Sequence, residues 1–150
     1  MRIEIVQFIA TMLTVMALVP GGAHLLELPN KMKLDRDAYL TVQPIYRGWA
    51  LAGLPLAGSL IATLWLAWFS RTQPLPPLLA STAFLLLLAT LISFFVFIFP
   101  VNKATRQWTM TTDRFDAMRA RWEYTHAANA VLTLLAVAAT LAAGLSWRGC

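Results

Sequence analysis

Residues 78–99 form the feature that most constrains the fold, because this stretch contains no charged side chain. Prolines lie on both sides of it, at Pro76-Pro77 and at Pro100. An apolar segment of about 20 residues is long enough to cross the hydrocarbon core of a bilayer as a helix. Residues 127–145 form a second uncharged run, which is rich in alanine. The two runs predict a helical membrane protein.

The composition extends this prediction to the whole chain. Of its 150 residues 59% are hydrophobic and only 13% are charged, against roughly 25% charged in a globular protein. A soluble protein of this chain length could not bury so much apolar surface in its core. We predict an all-α integral membrane four-helix bundle with up-down-up-down topology. It would form one transmembrane domain over residues 1–150, with spans at about 5–28, 47–69, 78–99 and 115–145.

Two prolines lie inside predicted spans. Pro20 has no N–H, so the carbonyl of Met16 would lose its helical partner, and the helix is expected to kink or unwind at Pro20-Gly21-Gly22. Pro55 would free the carbonyl of Leu51 in the second span in the same way. Such breaks are tolerated where neighbouring groups or a cavity satisfy the freed atoms. Simple helix packing is the other explanation, since Pro and Gly are common in membrane helices.

The basic residues divide unevenly between the two membrane faces of this topology. One face, which we call the basic face, contains the two longer connections and would carry nine basic residues: Lys31, Lys33, Arg36, Arg47, Lys103, Arg106, Arg114, Arg119 and Arg121. The other, which we call the opposite face, contains both termini and the short loop 70–77 and would carry only Arg2, Arg71 and Arg148. The positive-inside rule then predicts that the basic face lies in the cytoplasm and that both termini lie outside. The expected location is the inner membrane of a bacterium. Basic residues set between apolar blocks do not form a nucleic-acid-binding stripe. Cys150 is the single cysteine, which excludes an intrachain disulfide.

The two histidines are both expected at the basic face. Each has a glutamate three residues away, in His24-Leu-Leu-Glu27 and Glu123-Tyr-Thr-His126. Residues i and i+3 share a helix face, so the four side chains could converge. One interpretation is a site for a single transition metal ion such as iron, copper or zinc. A second is a metal-free site with a histidine as general base. A third is that all four are helix-end groups hydrogen-bonded to loops and arginines.

Aromatic, amide and guanidinium side chains are also expected at the basic face, near the histidines. Aromatic rings with nearby arginines suit a flat aromatic or anionic ligand, and they also suit a lipid headgroup interface. The candidate substrate-binding residues are Tyr46, Trp49, Asn102, Arg106, Trp108 and Arg121.

The order of these motifs resembles a known family. The motifs are His24-x-x-Glu27-x-Pro29-x-Lys31, Gln43-x-x-Tyr46-x-x-Trp49, Pro100-x-Asn102 with Trp108, and Arg121-Trp122-x-x-x-His126. Together they resemble the anthrone-oxygenase-like family of small four-span membrane proteins, over nearly the whole chain. The resemblance implies a four-helix membrane bundle. For some members it also implies oxidation of an anthrone to an anthraquinone by molecular oxygen, without an agreed cofactor or catalytic residue set.

Two functional hypotheses follow. The first is a membrane oxidoreductase, an oxygenase acting on a lipophilic anthrone- or quinol-like aromatic. In it His24, Glu27, Glu123 and His126 would bind a metal or move protons. The second is a non-enzymatic membrane bundle that binds a metal, a lipid or a protein partner. Whether the chain is an enzyme, whether it uses a metal and whether it forms a homo-oligomer all stay open at this point.

Overall fold

The computed structural model describes residues 3–148. Arg2 and Cys150, which entered the predictions above, lie outside the described residues. The helices are α1 (Ile3–Lys31), α2 (Arg36–Val42), α3 (Gly53–Phe69), α4 (Pro76–Ser93), α5 (Phe99–Ala104) and α6 (Phe115–Ser146). Short 3₁₀ turns at Gln43–Tyr46 and Trp49–Ala52 precede α3, and a π-helical segment at Phe94–Ile98 joins α4 to α5.

The long helices form a closed ring in which α1 packs on α3, α3 on α4, α4 on α6 and α6 on α1. The loop after α3 and the end of α6 meet at one face, where the Gln73 amide donates to the Arg148 carbonyl at 2.6 Å. No strand occurs in residues 3–148. The prediction of an all-α four-helix bundle is therefore confirmed.

The surface of the bundle is apolar. Four helices, Ile3–Lys31, Trp49–Phe69, Pro76–Ala104 and Phe115–Ser146, are long and apolar enough to cross a membrane. Large hydrophobic side chains such as Phe8, Leu54 and Leu145 are exposed on them. In water such a surface would be unfavourable, whereas lipid tails accommodate it. The chain is thus an integral membrane protein.

The first span differs from its prediction at Pro20. Helix α1 continues through Pro20-Gly21-Gly22 and through Pro29 to Lys31, so the expected unwinding is absent. Gly21 serves close packing instead. A Cβ atom built there would lie 3.3 Å from the Cα of Ala130, so the missing side chain lets α1 approach α6 closely.

The second span also differs from its prediction. Residues 47 and 48 precede the helical part, and Pro55 is the third residue of α3. The first N–H groups of a helix have no intrahelical partner, so a proline there interrupts nothing. The break expected near Leu51 therefore lies where the 3₁₀ turn Trp49–Ala52 passes into α3, and not inside an α-helix.

The third span continues past its predicted end at residue 99. Pro100 cannot donate a hydrogen bond to the carbonyl of Val96 four residues earlier. A guanidinium nitrogen of Arg121, on α6, donates to this carbonyl at 2.8 Å. The π-helical segment Phe94–Ile98 adjusts the backbone just before the proline. Helical structure therefore persists to Ala104.

Candidate functional site

The tight contact between α1 and α6 at Gly21 and Ala130 lies one turn from each of the two histidines. His24 follows Gly21 by one turn, and His126 precedes Ala130 by one turn. The two imidazole rings stack with centroids 4.2 Å apart and an interplanar angle of 27°. His24 is buried. The structure thus brings together two residues more than a hundred positions apart.

Three aromatic rings enclose His24. The centroid of its ring lies 4.6 Å from that of Tyr46, 4.9 Å from that of Trp122 and 5.6 Å from that of Trp49. Trp122 also lies edge-on to His126 at 4.4 Å. The Nδ1 atom of His24 is buried and has no hydrogen-bond partner among residues 3–148. This nitrogen is therefore a buried polar atom whose hydrogen-bonding capacity is unused within the described residues.

A buried ionic network lies beside the histidines. The ammonium of Lys31 lies 2.6 Å from the Glu123 carboxylate, to which the Tyr39 hydroxyl donates at 2.9 Å. Lys31 also donates to the Tyr46 hydroxyl at 3.0 Å, and that hydroxyl donates to Glu27. The second carboxylate, that of Glu27, lies 3.9 Å from the Lys31 ammonium. One cation is therefore shared between two glutamates and a tyrosine.

Aromatic faces also surround the Lys31 ammonium. Its nitrogen lies 4.4 Å from the ring centroid of Tyr46 and 4.9 Å from that of Trp122. Only 5% of Lys31 and none of Glu123 is exposed. Burying two charges costs several kcal/mol each, which close pairing and hydrogen bonds offset. The ion pair with Glu123 and the hydrogen bond to Tyr46 therefore stabilise the buried Lys31 ammonium.

Both tyrosines of the network keep their protons at neutral pH. Burial raises the pKa of Tyr39 well above its ordinary value, and the neighbouring Glu123 carboxylate raises it further. Burial also raises the pKa of Tyr46, as does its hydrogen bond to Glu27. Each phenol is therefore a hydrogen-bond donor to a carboxylate.

The four predicted metal ligands do not converge on one point. Glu123 is bound to Lys31, Glu27 is bound to Tyr46, and the histidine rings face each other in a stack. No group of three or more His, Cys, Asp or Glu side chains within residues 3–148 is placed to hold a metal ion. The prediction of a four-ligand site is not met by this arrangement, because the glutamates are engaged by a lysine and a tyrosine.

The six predicted substrate-binding residues separate into three groups. Tyr46 and Trp49 contact His24 directly. Asn102 and Trp108 lie behind Trp122, where Asn102 accepts a hydrogen bond from the Trp122 indole at 2.8 Å and the Trp108 ring is 5.8 Å away.

The two arginines of that set lie apart from the histidines. Arg121 is exposed and bonds to the Val96 carbonyl, so its position is explained by the proline in the third span. Arg106 is exposed within three consecutive residues of positive φ, where its own φ is 45°. Within the described residues, neither arginine contributes to the group of side chains that surrounds His24.

Lys31, Tyr39 and Trp122 are central to the site but were not among the predicted site residues. The sequence carries a signal for Lys31, since it follows Glu27 by four residues and His24 by seven and so shares their helix face. Trp122 precedes His126 by four residues and carries the same signal. Tyr39 lies on α2 in the connection 32–48, where no helical spacing relates it to the histidines.

Comparison of the chain with protein-family models, with curated proteins and with solved structures finds no match.

Proposed function

We propose that the protein is a membrane oxidoreductase, an oxygenase that acts on a lipophilic aromatic substrate with an acidic proton, such as an anthrone or a quinol. The observation that carries the proposal is the environment of His24. This imidazole is buried, has an unpartnered Nδ1 atom and is enclosed by aromatic rings. Aromatic walls suit a flat substrate, and a free nitrogen among them suits a general base.

The proposed reaction begins with proton transfer from the substrate to His24. The resulting anthrone enolate is electron-rich and gives electrons to molecular oxygen. The overall balance is one anthrone and one O₂ giving one anthraquinone and one water, so the carbon is oxidised and oxygen is reduced. His126, stacked on His24, keeps the ring in place. The resemblance to the anthrone-oxygenase-like family supports this choice of substrate.

The ionic network gives the site a polar connection to the basic face. The Glu27 side chain is 37% exposed, and the Tyr46 hydroxyl links it to Lys31 and then to Glu123. In the ligand-free protein these groups hold Tyr46 beside His24. We place the protein in the inner membrane of a bacterium. The charge distribution supports the orientation, with this face in the cytoplasm and the termini on the outer side.

Oxygen uptake by the purified protein with anthrone tests the proposal. We expect the wild type to consume oxygen and form anthraquinone, and His24→Ala to be slower by about 100-fold or more, the usual contribution of a general base. Gln73→Ala, which removes a hydrogen bond at the opposite face, should retain the wild-type rate. Equal rates in the wild type and in His24→Ala would contradict the proposal. Absence of turnover together with a retained stoichiometric metal would favour the non-enzymatic bundle.

A further inference from the structure

The phenol ring of Tyr46 fills the space beside His24. Its centroid lies 4.6 Å from the imidazole of His24, 4.9 Å from Trp49 and 5.8 Å from Trp122. The other three rings belong to the bundle helices or to the turn that begins the second span. Tyr46 alone reaches this space from the connection 32–48.

The hydroxyl of Tyr46 is held at both its donor and its acceptor positions. It donates to the Glu27 carboxylate and accepts from the Lys31 ammonium at 3.0 Å. The same ammonium lies 4.4 Å from the centre of the Tyr46 ring. The surroundings are therefore complementary to a hydroxylated aromatic ring, both in shape and in hydrogen bonding.

We propose that Tyr46 occupies, with its own side chain, the slot for the hydroxylated ring of a lipophilic aromatic ligand, which binds by displacing Tyr46. The ligand ring then lies against His24, Trp49 and Trp122, and its hydroxyl is bound by Glu27 and Lys31. The identification of this ligand as the substrate rests on the proposed function. Binding of the ligand to the slot is measured separately, without turnover.

The backbone around Tyr46 permits the displacement. Tyr46 is the last residue of a short 3₁₀ turn, Arg47 is extended and Gly48 has a φ of 90°. A side chain at this position can leave without breaking a helix of the bundle. Tyr39 differs, because it lies within α2 and is fully buried against Trp108.

The charged partners make the slot selective for a hydroxyl group. A ring without a hydroxyl would remove one hydrogen-bond partner from the buried Lys31 ammonium, which keeps Glu123, and one from the Glu27 carboxylate, whose side chain is 37% exposed. Unpaired buried polar groups are costly, so sites built for a hydroxyl discriminate strongly against analogues that lack it. We therefore expect phenols and naphthols to bind and their parent hydrocarbons to be rejected.

Tyr46→Ala tests the slot by emptying it. In detergent, 4-methylphenol should raise the melting temperature of Tyr46→Ala by several degrees, while toluene should raise it by much less. Tyr124→Ala, which removes an exposed tyrosine, should show no such response to 4-methylphenol. Equal stabilisation of Tyr46→Ala by both compounds, or by neither, would overturn the proposal.

Tyr46→Phe provides a second test with a variant that keeps the aromatic ring. In the wild type, a ligand that displaces Tyr46 breaks its hydrogen bonds to Glu27 and Lys31. Phenylalanine makes neither bond, so its displacement breaks none. We expect 2-naphthol, followed by quenching of tryptophan fluorescence, to bind Tyr46→Phe about 3- to 10-fold more tightly than the wild type. Unchanged or weaker binding would show that Tyr46 is part of the wall and not an occupant, and the slot would be rejected.

The two proposals fail separately. Binding of 2-naphthol with the expected dependence on Tyr46, but no oxygen uptake with anthrone, would retain the slot and reject the oxygenase. Oxygen uptake that depends on His24, with naphthol binding unaffected by Tyr46→Phe, would retain the oxygenase and reject the slot.

Discussion

The two ends of the bundle are packed in different ways. The cluster at the opposite face is made mainly of small residues from all four long helices, namely Val6, Ala10, Ala62, Leu66, Ala80 and Ala143. The cluster at the basic face is dominated by large aromatic rings and comprises Tyr39, Ile98, Val101, Trp108, Phe115 and Trp122. Small residues let helices approach closely, whereas bulky ones fill the space between helices and connections.

Buried polar groups at the two ends follow the same division. Toward the opposite face the hydroxyls of Thr63, Ser70 and Thr140 donate to carbonyls four residues earlier in the chain, within or directly after their own helices. At the basic face, Lys31 is bound by Glu123 of α6 and by Tyr46 of the connection 32–48, as well as by Glu27 of its own helix. One end thus needs only shape, and the other needs particular partners. Costly buried ionisable groups in a membrane protein are typical of a functional site.

The largest expected effect comes from breaking the ion pair at the basic end. Lys31→Met should lower the free energy of unfolding by about 3–5 kcal/mol, because Glu123 is left buried without its cation. Reversible unfolding in mixed detergent micelles measures the change.

A double variant separates the lost pair from lost packing. Lys31→Met combined with Glu123→Leu should recover at least half of the stability, since no unpaired charge remains. A loss below about 1 kcal/mol in Lys31→Met would show that the two ends do not differ in the way described.

The helices could be predicted from the sequence because each span is a long apolar run, but their ends could not. Past Pro100 the helix continues, and Arg121, which is remote in sequence, donates to the carbonyl of Val96 that the proline leaves free. Helix α1 is continuous through Pro20, next to the point where Gly21 lies close to Ala130 of α6. Both places involve contacts between helices, which apolar periodicity does not specify.

The site shows the same limit. The three-residue spacing of Glu27 from His24 indicated that they share a helix face. It could not indicate that Lys31 would bind Glu123, because that choice depends on how α1 is rotated against α6. The positions of Tyr39 and Tyr46 depend on the path of the connection 32–48, which carries no periodic signal.

Overpacking the opposite end should have a smaller effect than breaking the ion pair. Ala10 is fully buried among small residues, so Ala10→Leu should lower the free energy of unfolding by about 1–3 kcal/mol. Phe8→Leu, on the lipid-exposed side of the same helix, is the matched control and should change it little. If Ala10→Leu is as stable as the wild type, close helix approach is not what holds this end together.

The smallest effect concerns the response of the basic end to alkaline pH. In the unfolded chain Tyr39 ionises near its ordinary pKa of about 10, whereas the raised pKa of the buried phenol keeps it neutral in the folded state. Below that ordinary pKa both states hold the proton, so the stability contributed by Tyr39 is constant. Above it the unfolded state releases the proton first, and stability should fall by about 1.4 kcal/mol per pH unit.

Unfolding measured between pH 9 and 11 tests this with Tyr39→Phe as the control, since phenylalanine cannot ionise. The variant should start less stable, because Glu123 loses a hydrogen bond, and should then lose stability with pH less steeply than the wild type. Equal slopes would mean that Tyr39 ionises alike in both states. A phenol that is hydrogen-bonded to a buried carboxylate cannot ionise as easily as a free one. Equal slopes would therefore contradict the hydrogen bond between Tyr39 and the buried Glu123 carboxylate.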